Sequence, residues 1–136
     1  MSFAGGIAVV GAFEHPTRFA PNRTAYQIAA ESARGALADA GLTLADVDGY
    51  ATSGVGPMGV LSMCHHLNLQ PDWVDSTNIG GSSFVAQVAN AGAAIQAGLC
   101  TTVLITYGST AASDRFAVGT GGGMSGDPTD AFVLPY

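Results

Sequence analysis

The sequence predicts an α/β fold with a largely parallel sheet, and three observations support this. Short apolar segments typical of buried strands alternate with helical segments along the chain, as in proteins built from β-α-β units. The segment Thr101–Tyr107 is rich in Val, Leu and Ile, which is typical of a parallel strand covered on both faces. Only 10% of the residues are charged and 48% are hydrophobic, whereas about 25% are charged in an ordinary soluble domain. Much of the chain therefore has to be buried.

The first predicted elements are a strand and a surface helix. Ile7–Phe13 is a short apolar run, which predicts a buried strand. Thr24 is followed three residues later by Gln27, the pattern of a capping box, so the helix is predicted to begin there. Its apolar residues recur at helical spacing on one side, and Gly41 can supply the left-handed turn that ends it.

The alternation of strands and helices continues in the following residues. Thr43–Asp48 predicts a single capped turn that leads into a strand near Tyr50–Ser53. Met58–Leu69 predicts a second helix, and Val74–Thr77 a short strand. Ser83–Leu99 predicts a helix that is apolar all round, with large residues on one side and mainly alanine and glycine on the other. Such a helix is expected at the centre of a protein, with almost no solvent exposure.

Composition argues against several classes of function. The chain has no lysine, four arginines and a net charge of −6, so it lacks the basic cluster that nucleic-acid binding needs. No apolar run reaches the roughly 18 residues that span a membrane. Cys64 and Cys100 form no disulfide framework, and with no signal peptide ahead of them we expect a cytoplasmic protein. After Gly108 the sequence becomes irregular and lacks a closing element, so residues 1–136 are expected to be one portion of a longer domain.

Two further patterns are not interpreted as ligand sites. Gly121–Gly126 fits GxGxxG, but a dinucleotide fingerprint opens a helix, whereas this run precedes an Asp-Pro pair, so we interpret it as a glycine-rich loop. Cys64, His65 and His66 are of metal-ligand type, yet neighbouring helical residues point about 100° apart and no second ligand pair is in view. No metal site is predicted, and Cys100 is interpreted as a small core residue.

Two segments of the sequence resemble the thiolase superfamily, in the branch related to the sterol-carrier-protein thiolases. One begins with IAVVGAFEHPTRF and resumes as ALADAGLTLADVDGYATSG, and the other is NIGGSSFVAQVANAGAAIQAGLCTTVLITYGS. The resemblance implies an α-β-α-β-α sandwich of two similar halves, of which this chain is the N-terminal portion, with Ser83–Leu99 in the central helical layer. It also implies an acyl-CoA substrate, no cofactor, and a homodimer in which Val74–Thr77 lies at the subunit contact.

The resemblance departs from the family at the nucleophile. Thiolases carry a cysteine in a Cys-x-Ser-Gly pattern at the start of the central helix, which later ends in Ile-x-x-Gly. Alignment on Ile95 and Gly98 puts Gly81 at the cysteine position, with Ser83 and Phe84 on the serine and glycine of the pattern. No cysteine lies in this segment, so acyl transfer through a thiol is not expected.

Several residues next to Gly81 have more than one interpretation. A slip of one residue in the alignment puts Gly80 or Ser82 at the cysteine position. A serine nucleophile normally needs a neighbouring base, and no histidine is suitably placed in the sequence, so Ser82 or Ser83 is interpreted as a helix cap, with nucleophilic serine as the alternative. Asn78 is interpreted either as a hydrogen-bond donor in the active site or as a turn residue. The predicted substrate-binding residues are therefore Asn78, Gly80, Gly81 and Ser83.

Thiolase-like proteins without the cysteine resemble the retro-aldolases of steroid side-chain breakdown. These lyases cleave a β-hydroxyacyl-CoA without an acyl-enzyme and work with a small OB-fold protein that carries a zinc ribbon. The resemblance implies the same reaction class and partner here, with acid–base tyrosines beyond Tyr136. Two alternatives stay open: an acyltransferase with an unusual nucleophile, and a non-catalytic thiolase-like subunit of a complex.

Overall fold

The computed structural model describes residues 6–53 and 58–113. In chain order its elements are α1 (Ala25–Ala40), a short 3₁₀ turn (Leu44–Asp46), β1 (Gly49–Thr52), α2 (Val60–Leu67), β2 (Trp73–Asp75), α3 (Ser83–Gln96) and β3 (Val103–Thr106). The predicted alternation of strands and helices is confirmed, with ends that shift by a few residues. The glycine-rich run Gly121–Gly126 lies outside the described residues.

The strands β1, β2 and β3 form one parallel sheet in the order β2-β1-β3. Tyr50, in the middle strand, is aligned with Val74 on one side and Leu104 on the other. The chain moves from β1 to β2 in one direction and then returns past β1 to β3. Because parallel crossovers are right-handed, these opposite steps place α2 and α3 on opposite faces of the sheet. Helix α1 packs against α2, so α3 covers the second face by itself within the described residues.

A hydrophobic core fills the space between the sheet and helices α1 and α2. Its buried members are Ala29, Ala30, Ala33, Leu37, Val47, Tyr50, Val60, Met63, Cys64, Leu67, Leu69 and Leu104. The Tyr50 hydroxyl and Thr106 Oγ1 are hydrogen-bonded at 2.6 Å, and burial raises the pKa of Tyr50 to about 12. This phenol therefore stays neutral at ordinary pH and belongs to the core.

Both predicted ends of α1 are confirmed. The backbone N–H of Gln27 donates to Thr24 Oγ1 at 3.2 Å, and that of Thr24 donates to Gln27 Oε1 at 2.9 Å, which completes the capping box. Gly41 ends the helix with a φ of 69°, a value that glycine adopts without strain. These signals are local in the sequence, which is why they fix the helix ends.

The predicted strand Ile7–Phe13 is wrong, because these residues do not pair with the sheet. They lie along α1, where the Gly11 backbone comes so close that an added Cβ would be 2.8 Å from Ala40 Cβ. The backbone N–H of Ala12 donates to Asp39 Oδ2 at 3.0 Å. The predicted burial is also wrong within the described residues, since Val9 is 80% and Val10 62% exposed. An apolar run predicts burial, but this one contacts α1 only in part and pairs with none of the described strands.

Helix α3 is the single helix that the sequence predicts. Within the described residues it is covered on one face, and its full burial in the complete protein stays a prediction. Its last residue is Gln96 rather than Leu99, since Gly98 takes a φ of 73°. Val85 is 76% exposed and Val88 51% exposed. The described residues contain one sheet, so they cover one face of this helix.

Strand β3 also departs from the prediction. Leu104 and Thr106 are buried, whereas Val103 and Ile105 are half-buried, so the strand is not fully covered on both faces. The reason is its position at one end of the described strand order, where one edge has no neighbouring strand. No helix of the described residues is long and apolar enough to span a membrane.

Candidate functional site

A cleft of about 690 Å³ opens at the carboxyl ends of the strands. Ligands of open parallel α/β sheets bind at this edge. Segments that follow all three strands reach the cleft, and its lining consists of Ala25, Ser53, Asn78, Gly80, Gly81, Phe84, Tyr107, Gly108, Ser109, Thr110 and Ala111. None of these residues carries a charge at neutral pH. The predicted residues Asn78, Gly80 and Gly81 therefore share one cleft, whereas Ser82 and Ser83 do not line it.

Ser83 holds the turn that precedes α3 from its buried side. Its Oγ accepts a hydrogen bond from the backbone N–H of Ile79 at 2.9 Å and donates to the carbonyl oxygen of Gly80 at 2.6 Å. Gly80 takes a φ of 77°, in the left-handed region that favours glycine. Ser83 is fully buried. Its hydroxyl therefore stabilises the turn and is occupied both as donor and as acceptor.

The prediction that Ser82 or Ser83 caps α3 with its side chain is wrong. Ser82 occupies the cap position, but its side chain makes no capping hydrogen bond. Its backbone is helical, with a φ of −83° and a ψ of −3°, whereas a capping serine needs an extended backbone. Ser83 bonds to the preceding turn instead.

Gly81 contributes backbone to the cleft and leaves open space where a side chain would stand. A Cβ added to Gly81 would have no atom within 4 Å, and its φ lies outside the left-handed region. The described residues therefore leave room for a side chain at this position. Steric crowding does not explain why the chain carries glycine there.

Phe84 and Tyr107 form an aromatic wall of the cleft. Their ring centroids lie 4.9 Å apart and the rings are inclined by 55°, a tilted geometry that aromatic pairs favour. Phe84 and Gly81 line the same cleft, so the ring contributes to the wall around the open space. Sequence reasoning missed this wall because it assigned Tyr107 to a buried strand and Phe84 to a glycine position of the family pattern.

A polar network holds the chain between β2 and the turn. The backbone N–H and hydroxyl of Thr77 donate to Asp75 Oδ1 at 2.8 and 2.7 Å, and Asn90 Nδ2 donates to Asp75 Oδ2 at 2.8 Å. Burial alone raises the pKa of Asp75, but the hydrogen bonds from Asn90, Thr77 and the Ser76 backbone outweigh it and lower that pKa. Asp75 is therefore a stable acceptor at neutral pH.

Gln87 is completely buried and joins the same network. Its Nε2 donates to the carbonyl oxygen of Thr77 at 3.1 Å, whereas no donor reaches its Oε1 within the part of the chain that the structure describes. A buried acceptor without a partner costs about 1–3 kcal/mol. Sequence reasoning missed this role, although Gln87 follows Ser83 by four residues and so lies on the same face of the helix.

Neither cysteine lines the cleft. Cys64 belongs to the core on α2, and Cys100 is buried ahead of β3. Burial raises the pKa of both thiols, and the carboxylates of Asp48 and Asp72 raise that of Cys100 further. Thiols of this kind are poor nucleophiles, so both are structural.

The histidines also lie away from the cleft lining. His15 Nε2 and Glu31 Oε2 are 2.8 Å apart on the outside of α1, and the ring of His66 packs on Tyr26 with centroids 5.4 Å apart. His65 is exposed near the end of α2. Within residues 6–53 and 58–113, no three His, Cys, Asp or Glu side chains are grouped closely enough to hold a metal ion.

Comparison with solved structures gives two informative similarities. The chain superposes on a Ltp2-ChsH2(DUF35) aldolase with a TM-score of 0.61 and 26% identity, over 92% of this chain and 31% of the aldolase chain. It also superposes on a monomeric SCP2-thiolase like protein type 1 from Mycobacterium smegmatis, with a TM-score of 0.58 and 25% identity, over 71% of this chain and 22% of the other. No protein-family model and no curated protein matches the chain.

Proposed function

We propose that this chain, which has a thiolase-like fold in the SCP2-thiolase-like and retro-aldolase branch, is part of an acyl-CoA carbon–carbon lyase. The proposed lyase works without a cysteine nucleophile. The observation that carries the proposal is Gly81. The resemblance aligns Gly81 with the family's cysteine position, and within the described residues Gly81 contributes open space to the cleft. The similarity to an aldolase supports the same reaction class.

The proposed reaction is a retro-aldol cleavage of a β-hydroxyacyl-CoA. A base removes the proton of the hydroxyl group, the bond between Cα and Cβ breaks, and its electron pair passes to the thioester as an enolate, which is then protonated. The products are an aldehyde or ketone and a shortened acyl-CoA. Such a lyase needs a proton acceptor and enolate stabilisation but no covalent acyl-enzyme. We assign the proton-transferring groups to residues outside the described cleft lining.

The charge pattern indicates which end of an acyl-CoA the cleft receives. Phosphate groups are bound by arginine and lysine side chains, and no arginine or lysine among residues 6–53 and 58–113 lines the cleft. Arg18 is paired with Glu14, and Arg23 with Glu31. The cleft is therefore suited to the neutral acyl and thioester end, with Asn78 and the backbone of Gly80 and Gly81 as contacts.

The side chains of the turn give little support to the acyltransferase hypothesis. The Ser83 hydroxyl is buried and already donates to one backbone group and accepts from another. Ser82 is exposed, and neither it nor a histidine is part of the cleft lining. Among the described residues, a serine nucleophile would lack the neighbouring base that activates it.

Product analysis of the whole protein, incubated with a β-hydroxyacyl-CoA, tests the proposal. We expect an aldehyde or ketone and a shortened acyl-CoA by liquid chromatography and mass spectrometry. Gly81→Leu should fill the open space and reduce turnover strongly, whereas Ser82→Ala should change it little. Transfer of acyl groups between CoA thioesters would favour the acyltransferase. The absence of both activities, with acyl-CoA still bound, would favour a non-catalytic subunit.

We also propose a homodimer in which β2 lies at the subunit contact. β2 is at one end of the described strand order, and its Val74 is 40% exposed. An unpaired strand edge is a template for pairing with another chain. A small OB-fold partner is the second proposed contact, since the similar aldolase is named for two components. The similar mycobacterial protein is described as monomeric, and a monodisperse monomer in sedimentation would contradict the dimer.

A further inference from the structure

Three polar side chains of α3 bind consecutive parts of the chain that leads from β2 to the cleft. Ser83 Oγ bonds to Ile79 and Gly80, Gln87 Nε2 to the carbonyl oxygen of Thr77, and Asn90 Nδ2 to the carboxylate of Asp75. We call Ser83, Gln87 and Asn90 the polar ladder. They are spaced by four and three residues and so lie on one face of the helix. Asn90 is exposed, whereas Ser83 and Gln87 are completely buried. Buried helix positions are normally apolar, so these two polar side chains need another explanation.

Gln87 is the member of the ladder that stability explains least. It is 0% exposed, and its Oε1 has no partner among the described residues. An apolar side chain of similar size would avoid the desolvation of this acceptor. The amide makes one protein hydrogen bond, to the chain one residue before Asn78, and Asn78, Gly80 and Gly81 follow directly in the cleft lining. Its contact thus lies on the segment that shapes the cleft.

We propose that Gln87 is a positioning residue, which with Ser83 fixes the turn at Asn78–Gly81 against the start of α3. The inference deepens the proposed function, because the turn carries the backbone that contacts the thioester. Gln87 does not touch the substrate and acts through Thr77. Displacement of an active-site segment by about 1 Å can lower the reaction rate roughly 100-fold. We therefore expect the hydrogen bonds by which α3 holds this turn to affect turnover more than stability.

A reporter thiol tests the geometry of the turn independently of catalysis. In a Gly81→Cys protein the new thiol stands at a helix N-terminus, where thiol pKa values fall below the ordinary value of about 8.5. The pH dependence of its alkylation by iodoacetamide gives this pKa. We expect the additional substitution Gln87→Met to move it back toward the ordinary value, while Val85→Met, an exposed site on the same helix, leaves it unchanged.

The same substitutions are then made in the full chain with Gly81 intact. Gln87→Met should keep or raise the urea midpoint of unfolding and lower turnover about tenfold or more, whereas Val85→Met should change neither. In the Gly81→Cys protein, Ser83→Ala removes the two bonds nearest the turn while Gln87 is retained, and it should shift the reporter pKa in the same direction as Gln87→Met. This variant decides the outcome if Gln87→Met does not fold.

The outcomes separate this inference from the proposed function. A shifted reporter pKa with no lyase activity in the unsubstituted protein supports the positioning role and rejects the lyase. An unshifted reporter pKa in both Gln87→Met and Ser83→Ala overturns the positioning role, as does a parallel fall of stability and turnover, which is what a merely structural residue would give.

Discussion

On one face of the sheet, helices α1 and α2 cover the strands with apolar side chains, whereas on the other face α3 buries both small apolar residues, Ala91 and Ala94, and polar side chains that hydrogen-bond to the preceding turn. The first face contains the core around Tyr50 and Met63. The second contains the buried polar residues Ser83 and Gln87, and it borders the cleft. On the first face, buried apolar side chains stabilise the fold. On the second face, buried polar side chains fix the position of the turn that borders the cleft.

The largest difference should appear when an apolar side chain is shortened on each face. Met63 is 0% exposed in the core, so Met63→Ala should lower the free energy of unfolding by about 2–5 kcal/mol through lost burial and a cavity. Val85 is 76% exposed on α3, and Val85→Ala should change the free energy of unfolding by less than about 0.5 kcal/mol. Urea unfolding measures both. Equal losses would show that the outer face of α3 is covered in the whole protein.

A smaller effect is expected at Asp48, which holds the start of β3. Its carboxylate accepts hydrogen bonds of 2.7–2.9 Å from the backbone N–H groups of Thr101 and Thr102 and from the Thr101 hydroxyl. Burial alone raises the pKa of Asp48, but these hydrogen bonds outweigh it and lower that pKa. Asp48→Asn should therefore cost about 1–2 kcal/mol at neutral pH.

The pH dependence of Asp48 follows from the sign of its shift. A carboxylate with a lowered folded pKa stabilises the fold above its unfolded pKa of about 3.9, and this contribution is lost as the pH falls through the folded value. The difference between wild type and Asp48→Asn in urea should be present at pH 6 and shrink below about pH 4. A difference that grows on acidification would contradict the hydrogen-bond account.

The smallest effects compare the two helix starts. Thr24 caps α1 with its side chain, so Thr24→Ala should lower the free energy of unfolding by about 1 kcal/mol. Ser82 makes no capping bond at α3, so Ser82→Ala should be close to neutral. Thermal unfolding of the two variants gives the comparison. A loss at Ser82 as large as that at Thr24 would mean that the serine caps α3 in solution.

The same comparison explains how much the sequence could predict. The ends of α1 follow from Thr24, Gln27 and Gly41, which lie within or beside the helix and act locally. Whether Ile7–Phe13 pairs as a strand depends on the surface that it contacts. The apolar run does not specify whether that surface is a helix or the edge of a sheet. Serine in the first turn of α3 predicts a cap only when the backbone is extended, and that angle is set by the turn.

The site was predictable to the same extent. The resemblance predicts Asn78, Gly80 and Gly81 at the turn before a long helix, and the structure places them in one cleft. Their role in substrate binding stays a prediction. The roles of Gln87 and of the aromatic wall, Phe84 and Tyr107, depend on contacts across elements. Gln87 pairs with a residue ten positions away, and such contacts have no signal in a single sequence.

Intact-protein mass spectrometry of the full chain during turnover tests the central claim most directly. With a β-hydroxyacyl-CoA, the wild-type protein should show cleavage products and no mass increase, because nothing at Gly81 can be acylated. The Gly81→Cys protein should gain an acyl group from an acyl-CoA. Alkylation of the buried Cys64 and Cys100 should leave wild-type turnover unchanged. A substrate-derived acyl group on wild-type Ser82 or Ser83, lost on substitution by alanine, would contradict the account and indicate an acyltransferase.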